Sequence, residues 1–297
     1  MSCCPDDNVM DRVSVVIPTY NRERLIGRAL DSILAQTNAD WECWVIDDFS
    51  TDHTKEVVQK YCENDSRIHY ALNQFRKGAQ GARNTGIKLC GGSWVLLLDS
   101  DNSLTNDYVE KILSYIRSHP DVDVVTNFIQ NIGPNQEKSN VCQWVTEGKI
   151  LRSLLNERTY VDNSSACVRK EKLFSIGLLD EKCPSYQEWD THIRLAQCCK
   201  YGCVHEPLTN YYDHKGSRIS QNTKSVYGKG LYVLKKHKKT WLSVAGKDVY
   251  SRLLLHVYDQ HQTSPFFTRL RVLSIVCRLS PNLCKQLVKR KLNMRKG

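Results

Sequence analysis

Three clusters of polar residues in this 297-residue chain directly follow short apolar runs, and each could hold a nucleotide, a phosphate or a cation. The sharpest is Asp99-Ser100-Asp101, after Trp94-Val-Leu-Leu-Leu98. Residues two apart on extended chain point the same way, so Asp99 and Asp101 can converge on one hard cation while Ser100 faces elsewhere. A carboxylate pair leaves most of an octahedral Mg2+ or Mn2+ shell to water and phosphate oxygens, the usual way these ions meet nucleotides. A loop of helix-capping aspartates would read the same, so the triplet does not decide the matter alone. Asp47-Asp48 follows Trp44-Val-Ile46, and Pro18-Thr19-Tyr20-Asn21 follows Val13-Ser-Val-Val-Ile17. A carboxylate suits a ring N–H donor and a tyrosine face can stack on a base. The two aspartates would equally serve a turn and the cap of the next helix.

Elements that position these clusters are legible in the period of the apolar residues. The run Val13–Ile17 is β-branched and nearly continuous, as in a strand buried on both faces. From Glu23 the period becomes helical, with Leu25, Ile26, Ala29, Leu30, Ile33 and Leu34 on one face and Asn21 as N-cap. The unit repeats as Trp44–Ile46 followed by a helix carrying Val57, Val58 and Tyr61, and as Trp94–Leu98 followed by Val109, Ile112, Leu113 and Ile116. Such alternation predicts an α/β fold with a mostly parallel sheet and right-handed crossovers. Ligands then bind at the carboxyl ends of the strands, where all three clusters fall. A further strand is expected over Val122–Ile129, then a mixed α+β stretch to about residue 225, then a helical segment broken at Pro265 and Pro281.

Composition narrows the setting. Hydrophobic residues make up 41% of the chain, enough for a full core. No apolar run is long enough to span a bilayer, and Val13–Ile17 does not read as a signal peptide. The thirteen cysteines are odd in number and scattered through apparent strands and helices, which fits a reducing compartment, hence the cytoplasm. Cys198-Cys199 with Cys203 and His205 lacks the paired spacing of a zinc site. The net charge of +10 conceals a division: residues 1–214 carry 23 Lys+Arg against 30 Asp+Glu, while 215–297 carry 19 against 2. The acidic body argues against nucleic-acid reading. Between Pro265 and Leu292, apolar and basic residues interleave, which suits either helices in a membrane interface on the cytoplasmic face or helices packed on the body with a solvated basic side.

Four segments together resemble a known family: Val15-Val-Ile-Pro-Thr-Tyr-Asn-Arg22, Val45-Ile-Asp-Asp-Phe-Ser-Thr-Asp52, Gly81-Ala-Arg-Asn-Thr-Gly86 and Leu97-Leu-Asp-Ser-Asp101. With a later match at Gln187–Leu195, the chain resembles the inverting glycosyltransferases of family 2, of GT-A fold, over roughly residues 12–220. The resemblance implies a catalytic domain over 12–225, with a nucleotide-sugar half (12–129) and an acceptor half (130–225), and a basic helical extension over 226–297.

It further implies a nucleotide-sugar donor, UDP-linked by preference, and a carbohydrate or glycoconjugate acceptor hydroxyl. Pro18, Thr19, Tyr20, Asn21, Asp47 and Asp48 would meet the nucleoside, and Arg83, Asn84, Asp99 and Ser100 the rest of the donor. Arg83 suits a phosphate fork or an ion pair with the metal loop. Phe49 stands where the family most often has glycine. Asp99, Asp101 and His214 would hold Mn2+ or Mg2+. In Gln187-Glu-Trp-Asp-Thr-His-Ile-Arg-Leu195, Glu188 takes the position of the catalytic base, with Asp190 the second choice; Asp190 and Arg194 are spaced for a helix-surface ion pair. A sugar-phosphate nucleotidyltransferase would share sheet, metal and nucleotide, but Pro18-Thr-Tyr-Asn-Arg22 occupies the place of its Gly-rich phosphate loop. A non-enzymatic glycan- or nucleic-acid-binding protein would leave the ordered carboxylates without a role.

Overall fold

The computed structural model describes residues 11–184, 186–213, 223–259, 274 and 277–281. The first unit opens with β1 (Val13–Thr19), α1 (Ile26–Leu34), β2 (Trp41–Asp47), α2 (Thr54–Asn64), β3 (Ile68–Leu72), α3 (Ala79–Leu89) and β4 (Trp94–Leu97). It continues with β5 (Ser103–Leu104), α4 (Tyr108–Ser118), β6 (Val124–Ile132) and β7 (Lys138–Cys142). Helix α5 (Leu151–Leu155) belongs to the second unit; a 3-10 turn at Asn163–Ser165, β8 (Ala166–Arg169) and α6 (Lys170–Ser175) return to the first. Then come α7 (Gln187–Leu195), β9 (Tyr201–Tyr212) and the helices α8 (Thr223–Lys236), α9 (Lys238–Val244) and α10 (Lys247–Asp259).

One sheet runs in the order β3-β2-β1-β4-β8-β6-β9-β5, with β7 on the side of β6. β3, β2, β1 and β4 are mutually parallel, and β8 runs against both β4 and β6. The expected α/β architecture with a parallel-dominated sheet is present. Apolar faces of α1 (Ile26, Ala29, Leu30, Ile33) and α4 (Val109, Ile112, Leu113) meet Val13, Val15, Ile17, Trp41, Val45 and Leu96 in one buried core. Each fully buried Val, Leu or Ile side chain among them contributes about 1.5–3 kcal/mol by leaving water.

Two elements escape the periodicity reading. β3 is short, with only Ile68 fully buried, so it lacks an apolar run. α3 is buried over Gln80–Ile87 without a break and shows no amphipathic alternation. Its Gly86 lies against β1, where an added Cβ would stand 2.2 Å from Val16 Cγ1, and at Gly81 it would stand 1.9 Å from the Arg76 carbonyl. These glycines serve close packing, not a dinucleotide turn.

The second unit comprises residues 151–158, 182–193 and 216–297. Helices α8, α9 and α10 share this unit with the segments 151–158 and 182–193. Trp241 explains part of this, because it is fully buried, donates from Nε1 to the Leu155 carbonyl at 3.0 Å and meets the Trp189 ring edge-on at 5.0 Å. The interleaved tail of 265–292 lies almost wholly outside the described residues, as does His214. No helix among the described residues is long and apolar enough to cross a membrane.

Candidate active site

β1, β2 and β4 deliver their polar residues at one end of the parallel strands. Thr19 pairs in register with Asp47. The Thr19 side chain is buried and its Oγ1 has no hydrogen-bond partner, an orphan hydroxyl of the sort a ligand satisfies. Pro18 is half-buried within β1, whereas Tyr20 is 44% exposed with Lys77 Nζ 4.8 Å from its ring centroid.

The two aspartates are held rigidly. Asp47 accepts from Ser50 N–H at 2.8 Å and from the Tyr70 hydroxyl at 2.7 Å. Burial first, and Asp47 beside it second, push the Tyr70 phenol well above its ordinary pKa, so it stays a donor. Asp48 accepts from Asn73 Nδ2 at 2.7 Å and from Gly78 N–H at 2.8 Å. An ionised carboxylate has about four acceptor positions, so each aspartate can still take a base N–H.

Asn21 is not the cap of α1. That helix begins at Ile26, and Asn21 adopts a left-handed φ of 52° from which its Oδ1 accepts the Thr51 N–H at 2.8 Å. It fastens the loop after β1 to the loop after β2. Phe49 keeps the turn that glycine would make, at φ 65° with a 47% exposed ring.

Asp99 and Asp101 are partly exposed and Ser100 between them is buried, but the segment is a turn just beyond β4 and not extended chain: Asn102 N–H donates to the Asp99 carbonyl at 3.0 Å. Arg83, 4% exposed, donates from one guanidinium nitrogen to Asp99 Oδ1 at 2.6 Å and from another to Gln80 Oε1 at 2.8 Å. Arg83 thus makes an ion pair with the loop after β4. Asp99 N–H donates to Ser164 Oγ at 3.1 Å, and Asn102 Nδ2 donates to the same oxygen at 3.1 Å.

Asn84 is a correction. Its amide donates to the Leu179 carbonyl (3.0 Å) and Glu181 Oε1 (2.9 Å) and accepts from Leu179 N–H (2.9 Å), all at 2% exposure. With both donors and the acceptor engaged inside the protein, it positions the loop at 179–181 and has no hydrogen to offer a donor sugar. Asp190 is fully buried and pairs with His237 Nε2 and Lys236 Nζ, both at 2.7 Å. Arg194 donates to the carbonyls of Ile176 and Leu178. Glu188 sits, half-buried, in the first turn of α7.

Ser164, Asn73 and Glu181 were not singled out by sequence. Each acts through a partner more than 20 residues away, and no spacing announces it. Cys198, Cys199 and Cys203 are free thiols, His205 pairs with Glu147, and no cluster of three metal-ligating side chains occurs among the described residues. Cys277, by contrast, is disulfide-bonded.

The glycosyl transferase family 2 model matches residues 14–177, more than half of the chain. The chain is 44% identical over 90 residues to the UDP-Glc:alpha-D-GlcNAc-diphosphoundecaprenol beta-1,3-glucosyltransferase WfgD of Escherichia coli, covering 30% of this chain and 35% of that protein. An uncharacterized glycosyltransferase of Haemophilus influenzae is 26% identical over 251 residues, 82% of this chain and 83% of its own. Staphylococcus aureus TarS, solved with UDP-GlcNAc, superposes with a TM-score of 0.65 at 17% identity over 90% of this chain and 80% of its own. The likeness to TarS shows the GT-A fold. With WfgD the chain spans only about a third of the relative's length. A parallel sheet delivering Thr19, Asp47 and Asp99 at one end, and a family match that embraces all three, lead to one statement: the chain belongs to glycosyl transferase family 2.

Proposed function

We propose that the chain transfers a sugar from a nucleotide-diphosphate sugar, UDP-linked by preference, to a hydroxyl of a glycan or glycoconjugate, with inversion and with a divalent metal. The observation that carries the reading is the Arg83-braced Asp99 beside Asp101 at the carboxyl end of β4, in the same sheet as the orphan Thr19 hydroxyl. Family membership and the printed donors of WfgD and TarS support it.

Asp101 and Asp99 offer only carboxylate oxygens, a hard donor set that fits Mg2+ or Mn2+. Asp101 is the principal ligand in this reading, because Asp99 Oδ1 already serves Arg83. The ion would neutralise charge on the leaving diphosphate. Glu188 takes the acceptor hydroxyl's proton as the hydroxyl oxygen attacks the anomeric carbon from the face opposite the diphosphate. Asp47 or Asp48 accepts the base N–H, and Tyr20 offers a ring to the base.

Hydrolysis of several nucleotide sugars, with Mg2+, Mn2+ and chelator, tests this. Metal-dependent release of nucleoside diphosphate is expected. Release of pyrophosphate from nucleotide and sugar phosphate would instead identify a nucleotidyltransferase.

A further inference from the structure

Beyond the residues that would meet the donor, the first unit holds a second concave feature on β6, β7 and the segment at 160–165. Its lining includes Asn127, Trp144, Tyr160, Asp162 and Ser165, around a hole of about 10 Å3, room for one water-sized group. Trp144 and Tyr160 are 43% and 42% exposed. Their segments are joined by Thr159 Oγ1 donating to the Val145 carbonyl at 3.4 Å, and the Trp144 segment is anchored to β6 by the Thr126–Thr146 hydroxyl contact. Asn127, one of the lining residues, is 4% exposed, and its buried Oδ1 has no hydrogen-bond partner. An orphan acceptor in a site bordered by two aromatic rings calls for a ligand that is apolar on its face and donates from a hydroxyl. Asp162 is the one charged group in the lining, where it accepts from Ser164 N–H at 2.8 Å, and its negative charge disfavours an anionic ligand.

Its position in the sheet says which part of the reaction it serves. β4 and β6 both pair with β8, with Leu96 and Val125 each level with Cys167, so Asn127 is level with Leu98, one residue before Asp99. The sheet order then runs from the base-binding strands β2 and β1, through the metal loop after β4, to this site two strands further at roughly 10 Å. A chain of bonds joins the two places: Asn127 Nδ2 donates to Thr209 Oγ1 (3.0 Å), which donates to the Ser164 carbonyl (3.0 Å), while Ser164 Oγ takes the Asp99 N–H.

We propose that Trp144, Tyr160 and Asn127 form the subsite for a neutral pyranose of the acceptor, its ring against the aromatic faces and one hydroxyl donating to Asn127 Oδ1. The proposal rests on the transferase reading for the word acceptor, though not for the binding of a sugar.

Saturation-transfer NMR with methyl β-D-glucopyranoside and methyl β-D-galactopyranoside, offered to the full chain with UDP and Mg2+, tests it. At least one glycoside should bind the wild type, about tenfold more weakly to Trp144→Ala, and again to Trp144→Phe, which restores the face. UDP binding, measured in the same samples, reports on folding and on the donor side and should hold its strength. Equal glycoside binding by Trp144→Ala, or binding of neither glycoside to the wild type, would overturn the subsite. A parallel loss of UDP binding in folded Trp144→Ala would overturn its assignment to the acceptor. Trp144-dependent glycoside binding by a chain that releases no nucleoside diphosphate from any nucleotide sugar would sink the transferase reading and leave the sugar site standing.

Discussion

Arg83 reaches Asp99 at 2.6 Å from a position that is only 4% exposed, while the Asp99 side chain is 36% exposed. A buried fork thus aims a carboxylate that solvent and ligands can still reach, and Gln80 holds the other arm of the fork. Lysine keeps the charge at this place but not the planar two-armed geometry. Arg83→Lys should lower metal-dependent turnover by about tenfold to a hundredfold, the cost of a carboxylate displaced by about 1 Å. Steady-state release of nucleoside diphosphate against metal concentration checks this, and unchanged turnover would remove Arg83 from the site. Asp101→Ala should lose the metal response altogether.

Glu188 and Asp190 lie two residues apart and should answer mutation differently. Glu188→Gln should cut transfer by about 10²–10⁴-fold while UDP still binds, since it removes only a proton acceptor. Loss of UDP binding would argue against the base role.

Asp190→Ala leaves Lys236 without one carboxylate partner and His237 without a buried one, and breaking such a pair costs about 3–5 kcal/mol. A urea titration followed by tryptophan fluorescence would show it, Trp189 and Trp241 lying in the same unit. A denaturation midpoint equal to that of the wild type would contradict the clamp.

Phe49 at φ 65° bears a left-handed backbone that costs an L-residue with a Cβ roughly 1 kcal/mol more than glycine. Phe49→Gly should raise stability by about that amount, seen as a higher midpoint in thermal unfolding. A lower midpoint would mean that the exposed ring contributes more than the turn costs.

Glu42 is buried beneath the start of the sheet. Burial alone would raise its pKa, but hydrogen bonds from Ser14, the Gly91 and Gly92 amides and Trp44 outweigh that and hold it below the ordinary value. A depressed folded pKa means that the stabilisation is complete above the unfolded value and is lost as pH falls through the folded one. Glu42→Gln should therefore be less stable at neutral pH and lose less on acidification below about pH 4.3. Parallel acid unfolding curves for the two proteins would refute this.

The residues of β1, α1, β4 and α4 carried their own instructions, because apolar spacing states which face of an element is buried. The strand-end clusters were legible for the same reason: Thr19, Asp48 and Asp99 are placed by strands whose buried runs precede them in sequence. α3 was not legible, since a helix buried on all sides leaves no period to read.

Partnerships belong to another scale. Asp190 and His237 are 47 residues apart and Asn84 and Leu179 are 95 apart, and nothing local in either segment distinguishes a catalytic acid or a donor-binding amide from a structural clamp. The pairing of β6 with β9, which brings Thr209 between Asn127 and Ser164, likewise depends on where the chain returns. Local spacing encodes the direction of a side chain; only the folded chain supplies what it meets, because a hydrogen bond acts over about 3 Å whatever the separation along the sequence.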